Sequence, residues 1–162
     1  MSYPPKTTPR SSFWRDFVRP LFKRPTRVQV AALCYRDNPD GAQILLITSR
    51  ESKRWILPKG WPINGLNGPE SALREAWEEA GVKSADIGEN PIGQYEYLKG
   101  LAEGMRTRVR TQVYCAKVHQ IEDDFPECAE RTRRWLPAKD AAQLVEEPQL
   151  KSLLAAFTPP LG

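Results

Sequence analysis

The sequence predicts a single domain of mixed α and β structure, and three observations carry that expectation. The chain has 162 residues, of which 40% are hydrophobic and 27% charged. That size and balance support one core without staples and argue against wholesale disorder. Two apolar runs, residues 28–35 and 43–49, flank the turn-forming Asp37-Asn38-Pro39-Asp40-Gly41, the pattern of two buried strands and their connection. A helical segment over residues 69–80 then has Pro69 at its first position, Glu70 in its first turn and Gly81 just past its end, the asymmetry expected of helix boundaries.

The other elements follow in chain order. Residues 1–10 hold three prolines and no core-forming residue, and are expected to be disordered. In residues 11–23, Phe13, Trp14, Phe17, Val18, Leu21 and Phe22 form a helical stripe flanked by Arg15 and Arg19, with Pro20 kinking or ending the helix. Two readings stand: an interfacial helix for an anionic surface, or an element packing its aromatic face on its own domain. Residues 1–27 carry seven basic groups against one acid, whereas residues 28–162 carry seventeen basic against nineteen acidic ones. The basic balance thus belongs to an N-terminal arm, and the domain proper is assigned to residues 28–162. After the first two strands comes a Gly-, Pro- and Asn-rich stretch, 58–69, and then the helix. Further strands are expected at 92–98, 107–118 and 133–136, with an acidic loop around Glu122–Asp124. Two helical segments, 138–145 and 149–157, close the chain.

Several function classes are disfavoured. No run approaches a membrane span, and the first thirty residues lack the apolar core of a secretory signal. Cys34, Cys115 and Cys128 are odd in number and form no Cys-x-x-Cys, so a disulfide framework or zinc site is not expected and a reducing, cytoplasmic setting is. Cys34 and Cys115 fall in strands and read as small buried hydrophobes. His119 is the single histidine, which excludes two-histidine metal sites and weakens Ser-His or Cys-His chemistry.

On the helix, at about 100° per residue, Leu73, Ala76, Trp77 and Ala80 fall on one side and Glu75, Glu78 and Glu79 on the other. Adjacent turns therefore present three carboxylates close together. Such a cluster is either a solvated acidic face or a site for hard divalent cations, and oxygen ligands in this number suit Mg²⁺ or Mn²⁺.

The surrounding residues carry a resemblance. Gly60, then Arg74-Glu75-Ala76-Trp77-Glu78-Glu79-Ala80-Gly81-Val82, resembles the Nudix box, whose pattern is G, five residues, E, seven residues, R-E-U-x-E-E-x-G-U. Seven of its nine defined positions match here: Gly60, Arg74, Glu75, Glu78, Glu79, Gly81 and Val82. Ala76 is a small version of the apolar U, and Leu66 stands where the first Glu is expected. The resemblance implies an α/β/α sandwich with a mixed sheet and a loop–helix–loop that holds Mg²⁺ or Mn²⁺ against a diphosphate. By position it implies Glu75 and Glu79 as metal ligands, Glu78 as a further ligand or the base that activates water, and the backbone carbonyl of Lys59 as another ligand. Gly60, Arg74 and Gly81 are structural, and Glu70, four residues before Arg74, is expected to pair with it in place of the missing glutamate.

The segment Thr48-Ser49-Arg50 … Arg54-Trp55-Ile56-Leu57-Pro58-Lys59-Gly60 is similar to the branch of the family that includes diphosphoinositol-polyphosphate and diadenosine-polyphosphate hydrolases, and Arg106–Arg110 and Arg131–Trp135 extend the likeness over roughly residues 27–137. The chain departs from that branch at Lys59 and Trp61-Pro62, where glycines are usual. In a strand, Arg106, Arg108 and Arg110 share one face, which suits an anionic ligand or a pairing with Glu96 or the acidic loop. Arg27, Ser49, Arg50, Arg131 and Arg133 complete the candidate phosphate-binding set. Trp55, Trp61 and Trp135 are open to base stacking or to packing. The expected activity is metal-dependent hydrolysis of a phosphoanhydride in a dinucleoside polyphosphate, inositol pyrophosphate or similar small molecule. The alternatives are a binding module that has lost turnover and a protein acting on RNA 5′ ends through its basic arm.

Overall fold

The computed structural model describes residues 27–161. The arm of residues 1–26, with its candidate amphipathic helix, lies outside the described residues.

The first strand, β1 (Arg27–Arg36), shows why the architecture is layered. Val30, Ala32 and Cys34 are buried on one face, and Ala31, Leu33 and Tyr35 on the other. A strand that hides both faces belongs in the middle of a covered sheet. It pairs in parallel with β7 (Arg106–Ile121), from Arg27↔Val109 to Tyr35↔Lys117. Its other edge is shared by β2 (Gln43–Thr48) and β4 (Lys59–Gly60), both antiparallel. The far edge of β7 is shared by β5 (Val82–Ile87) and β6 (Gly93–Gly100), while β2 also carries β3 (Trp55–Ile56) and β8 (Arg133–Pro137). The sheet is mixed, as expected.

Helix α1 (Gly68–Ala80) covers one face. Asn67 caps it: its side chain accepts from the Glu70 N–H at 2.8 Å, and the Glu70 carboxylate accepts from the Asn67 N–H at 2.9 Å, a reciprocal capping box. Gly81 ends it with φ 73°, and a Cβ there would also lie 2.4 Å from the Glu122 carbonyl oxygen, so glycine is required twice over. The stripe facing the sheet is Ala72, Ala76 and Ala80, packed with Val30, Ala32, Cys34 and Ile47. This corrects the predicted face, since Leu73 and Trp77 are only half-buried. Small residues let the helix lie close to the strands, and the larger ones flank it. On the opposite face, α2 (Ala138–Leu144) and α3 (Pro148–Ala155) pack Ala141, Leu150 and Leu154 against Leu33, Ile44, Leu46 and Tyr95. The result is the α/β/α sandwich. No helix among the described residues is long and apolar enough to cross a membrane.

Candidate active site

The acidic helix does not present its carboxylates to solvent. Glu79 is 6% exposed, and Glu75 and Glu78 are half-buried. All three line an open cleft of about 920 Å³ that also takes in the 49–54 loop, β4, the end of β6 and the 126–131 loop. Glu75 is placed by what β4 lacks. A Cβ on Gly60 would lie 2.3 Å from the Glu75 carboxyl carbon, so the bare glycine backbone is the surface on which this carboxylate rests.

Glu79 is held from the other side. Arg131 Nη2 lies 3.2 Å from Glu79 Oε2 and 3.2 Å from Glu127 Oε1, and its Nη1 donates to the Thr48 carbonyl at 3.0 Å. Burial pushes the Glu79 carboxyl up to about 8; Arg131 opposes the shift, and the neighbouring Glu75 adds to it. Burial likewise raises Glu75. Beyond its charge contact with Arg131, the buried Glu79 Oε2 has no hydrogen-bond partner, a shortfall that a cation would make good. The 49–54 loop is tied to the same wall through Arg50, 3.5 Å from Glu127 and 3.8 Å from Glu130, and through Lys53 Nζ, which donates to the Glu130 carbonyl at 3.3 Å.

Cations line the rest of the cleft. Lys59 Nζ donates to the Tyr97 hydroxyl at 3.2 Å, which donates to Gln29 Oε1 at 2.6 Å. Burial lowers the Lys59 ammonium to about 8, against the opposing pull of Glu79. Arg54 is fixed by an ion pair with the buried Glu147 and lies 4.0 Å from Glu146. Trp61 stands at the rim, 37% exposed, with Lys99 and Arg27 over its ring at 5.0 and 5.8 Å from the centroid.

The structure brings together Glu75, Glu78, Glu79, Lys59, Gly60, Ser49, Arg50 and Arg131 along the cleft; Arg27 is not among the lining residues and lies over the ring of Trp61. It leaves others out. Arg106, Arg108 and Arg110 are not among the residues lining the cleft; Glu96 takes Arg108 at 3.7 Å and Arg110 at 3.5 Å. That is the carboxylate pairing weighed for this row. Arg133 turns away as well: it donates to the carbonyls of Ala80 and Glu122 and pairs with Asp123 at 2.7 Å, closing the C-terminal end of α1. Glu70, expected to pair with Arg74, gives its carboxylate to the capping box, and Arg74 stands exposed. His119 meets Asp86 at 2.7 Å on the surface. Sequence reasoning missed Glu127, Glu130, Tyr97, Lys99 and Gln29, which reach the cleft only through tertiary pairing. Arg54 falls in the segment before Gly60 that carries the branch resemblance, where its sequence position alone assigns it no partner.

The chain is similar to known proteins. The family described as the NUDIX domain matches residues 27–157. Diphosphoinositol polyphosphate phosphohydrolase 2 of Mus musculus is 30% identical over 134 residues, covering 82% of this chain and 68% of that protein. Its Homo sapiens counterpart is likewise 30% identical, with 82% and 67% covered. Among solved structures, the C. elegans Ap4A hydrolase superposes with a TM-score of 0.60 at 24% identity, covering 80% of this chain and 93% of that one.

Proposed function

The chain belongs to the Nudix family and is a Nudix pyrophosphohydrolase, and we propose that it cleaves a phosphoanhydride bond in a polyphosphorylated small molecule with the help of divalent cations, Mg²⁺ or Mn²⁺. The observation that carries this reading is the convergence of Glu75, Glu78 and Glu79 on one wall of a cleft, with a buried Glu79 oxygen whose charge contact with Arg131 is not completed by a hydrogen bond. The donor set is all oxygen and suits a hard cation. Glu75 and Glu79 would hold it, with Glu78 and the Lys59 carbonyl as further candidates. When bound, such an ion neutralises phosphate oxygens and lowers the pKa of water.

The residues of the chain do the rest. Gly60 and Arg131 fix the two principal carboxylates, so that they are aimed before substrate arrives. Glu78, half-buried at the cleft, either accepts the proton of the attacking water or adds a further ligand. Arg50, Arg54, Lys59 and Lys99 place positive charge along the cleft, where a polyphosphate's remaining groups would lie. The names of the relatives at 30% identity, diphosphoinositol polyphosphate phosphohydrolases, support a substrate rich in phosphate.

The test is release of phosphate and nucleotide from diadenosine polyphosphates, an inositol pyrophosphate, inorganic polyphosphate and ADP-ribose, with Mg²⁺ and with Mn²⁺, beside Glu79→Gln. Turnover of a long polyphosphate that collapses in the variant is the expected result. A second reading rests on Leu66, half-buried where the Nudix pattern has a glutamate: a module that binds polyphosphate without turning it over. Binding with no product from any of the four would decide for it.

A further inference from the structure

One end of the sheet carries charge and apolar surface that hydrolysis does not call for. Strand β7 begins at Arg106 and ends at Ile121, beside the acidic Glu122–Asp124 loop, so its two ends differ in charge. At the first end Arg106, Arg108 and Arg110 share a face with Leu98, which pairs with Arg108 across the β6–β7 hairpin. Arg27 pairs with Val109 of the same strand, and Arg27 and Lys99 stand over the Trp61 ring at 5.8 and 5.0 Å. Two acids, Glu96 and Glu103, stand against these five cations. Residues 28–162 as a whole hold seventeen basic and nineteen acidic groups, so an anionic surface would attract the body at this end and repel it elsewhere. Leu98 is 58% exposed here, and Met105, the residue before β7, is 52% exposed. Aliphatic side chains exposed among cations fit a surface that is anionic outside and apolar beneath.

The arm joins the body at this same end, because the chain enters β1 at Arg27. The sequence before it has Phe13, Trp14, Phe17, Val18, Leu21 and Phe22 at helical spacing, with Arg15, Arg19, Lys23 and Arg24 beside them, the composition of an interfacial segment. Such a stripe needs an apolar cover. Among the described residues the large apolar side chains left exposed are Trp61, Ile92, Leu98, Met105 and Leu161, too few and too dispersed to bury it. We propose that the arm and the β6–β7 end form one docking surface for an anionic lipid bilayer. The stripe of residues 13–22, Leu98 and Met105 enter the acyl boundary, and the flanking cations meet the headgroups. Either part alone anchors weakly. Joined at Arg27, they are linked contacts on one plane, and the second forms at high effective concentration. A nucleic acid would use the cations and leave the aliphatic side chains without a partner. This docking is independent of the hydrolase chemistry above.

The test is flotation of the full chain with vesicles of phosphatidylcholine, alone or with roughly one-third phosphatidylserine, at about 0.1 M and about 0.5 M NaCl. Three double variants accompany wild type: Arg15→Ser with Arg19→Ser, Phe17→Ser with Leu21→Ser, and Leu98→Ser with Met105→Ser. Wild type is expected to partition onto the anionic vesicles roughly tenfold more strongly than onto the neutral ones, and to lose most of that preference at the higher salt. Each double variant is expected to weaken partitioning by roughly tenfold, with a melting temperature like that of wild type. Were Leu98→Ser to unsettle the hairpin, Met105→Ser alone gives the same readout. Equal partitioning of wild type onto both vesicles overturns the surface, and so does anionic partitioning that survives the Leu98 and Met105 substitutions. A melting temperature lowered by Phe17→Ser with Leu21→Ser in the absence of vesicles would place the stripe on the body and overturn it too. Tighter binding of polyuridylate than of anionic vesicles, untouched by the apolar substitutions, assigns the cations to nucleic acid instead.

Discussion

Two sets of cationic side chains in this protein look alike on paper and differ in kind. Arg106, Arg108 and Arg110 form a row along β7, where Arg108 is 68% exposed and shares Glu96 with Arg110. Arg54 and Arg131 come from loops, and each is held by a buried carboxylate: Glu147 for the first, Glu79 for the second. The strand row is regular because a strand is regular, and exposed ion pairs of this sort contribute little. The loop pair is irregular in sequence and fixed in space. Charge periodicity thus marks a surface, whereas a cation whose partner is buried marks the wall of a site.

The sharpest break of this comparison lies on the acidic side that the loop cations serve. Glu79→Gln is expected to lower kcat on the order of 10³-fold, the scale of a lost acid–base or charge-stabilising group, read in single-turnover assays with saturating Mg²⁺. Gly60→Ala comes next. Its new Cβ would lie 2.3 Å from the Glu75 carboxyl carbon, and a displacement of that size costs roughly 10²-fold, with a far-ultraviolet circular dichroism spectrum like that of wild type. Arg54→Ala leaves Glu147 buried without its partner, so a loss of about 3 kcal/mol is expected in urea unfolding.

A smaller effect concerns pH. The Glu79 carboxyl sits at about 8 in the folded chain against an ordinary 4.5, so its protonated form stabilises the fold. That contribution is full below the unfolded value and drains away as pH rises through the folded one. Without divalent cations, Tm should fall between pH 5 and pH 8. Glu79→Gln should flatten the slope, and added Mg²⁺ should raise Tm most at the alkaline end, where no proton competes for the carboxylate. The smallest effect belongs to the strand row. Arg106→Ala, Arg108→Ala and Arg110→Ala should each move stability by less than about 0.5 kcal/mol, and KM for diadenosine tetraphosphate by less than about threefold. A tenfold rise in any of them would return the row to the binding site.

What the sequence disclosed followed how local the causes were. Helix α1 was legible because Pro69 and Gly81 write its ends into the chain, and the acids recur at helical spacing whatever the helix packs against. Its buried face was misread because Leu73 and Trp77 are the most apolar residues, while the distance to the sheet favours Ala72, Ala76 and Ala80. The strand β5 carries no alternation to detect: Lys83, Ser84 and Asp86 are exposed along an edge with a register shift. Arg131 and Arg133 stand two residues apart and share a sequence pattern, yet one turns to the cleft and the other to the end of α1. Glu147 falls between the two closing helical segments, where the sequence offers it no role, and its partner Arg54 is 93 positions earlier. No local pattern encodes such a pairing.

The pairing of Arg54 with Glu147 has a mechanical consequence. Glu147 is the residue immediately before α3, a helix whose Leu150 and Leu154 are fully buried in the core. The ion pair therefore ties the wall of the cleft to the start of α3 and, through it, to the core. Amide exchange along α3 should slow when a polyphosphate occupies the cleft, and a proteolytic nick in the 145–147 turn should be felt first as weakened ligand affinity, before the rest of the sandwich gives way.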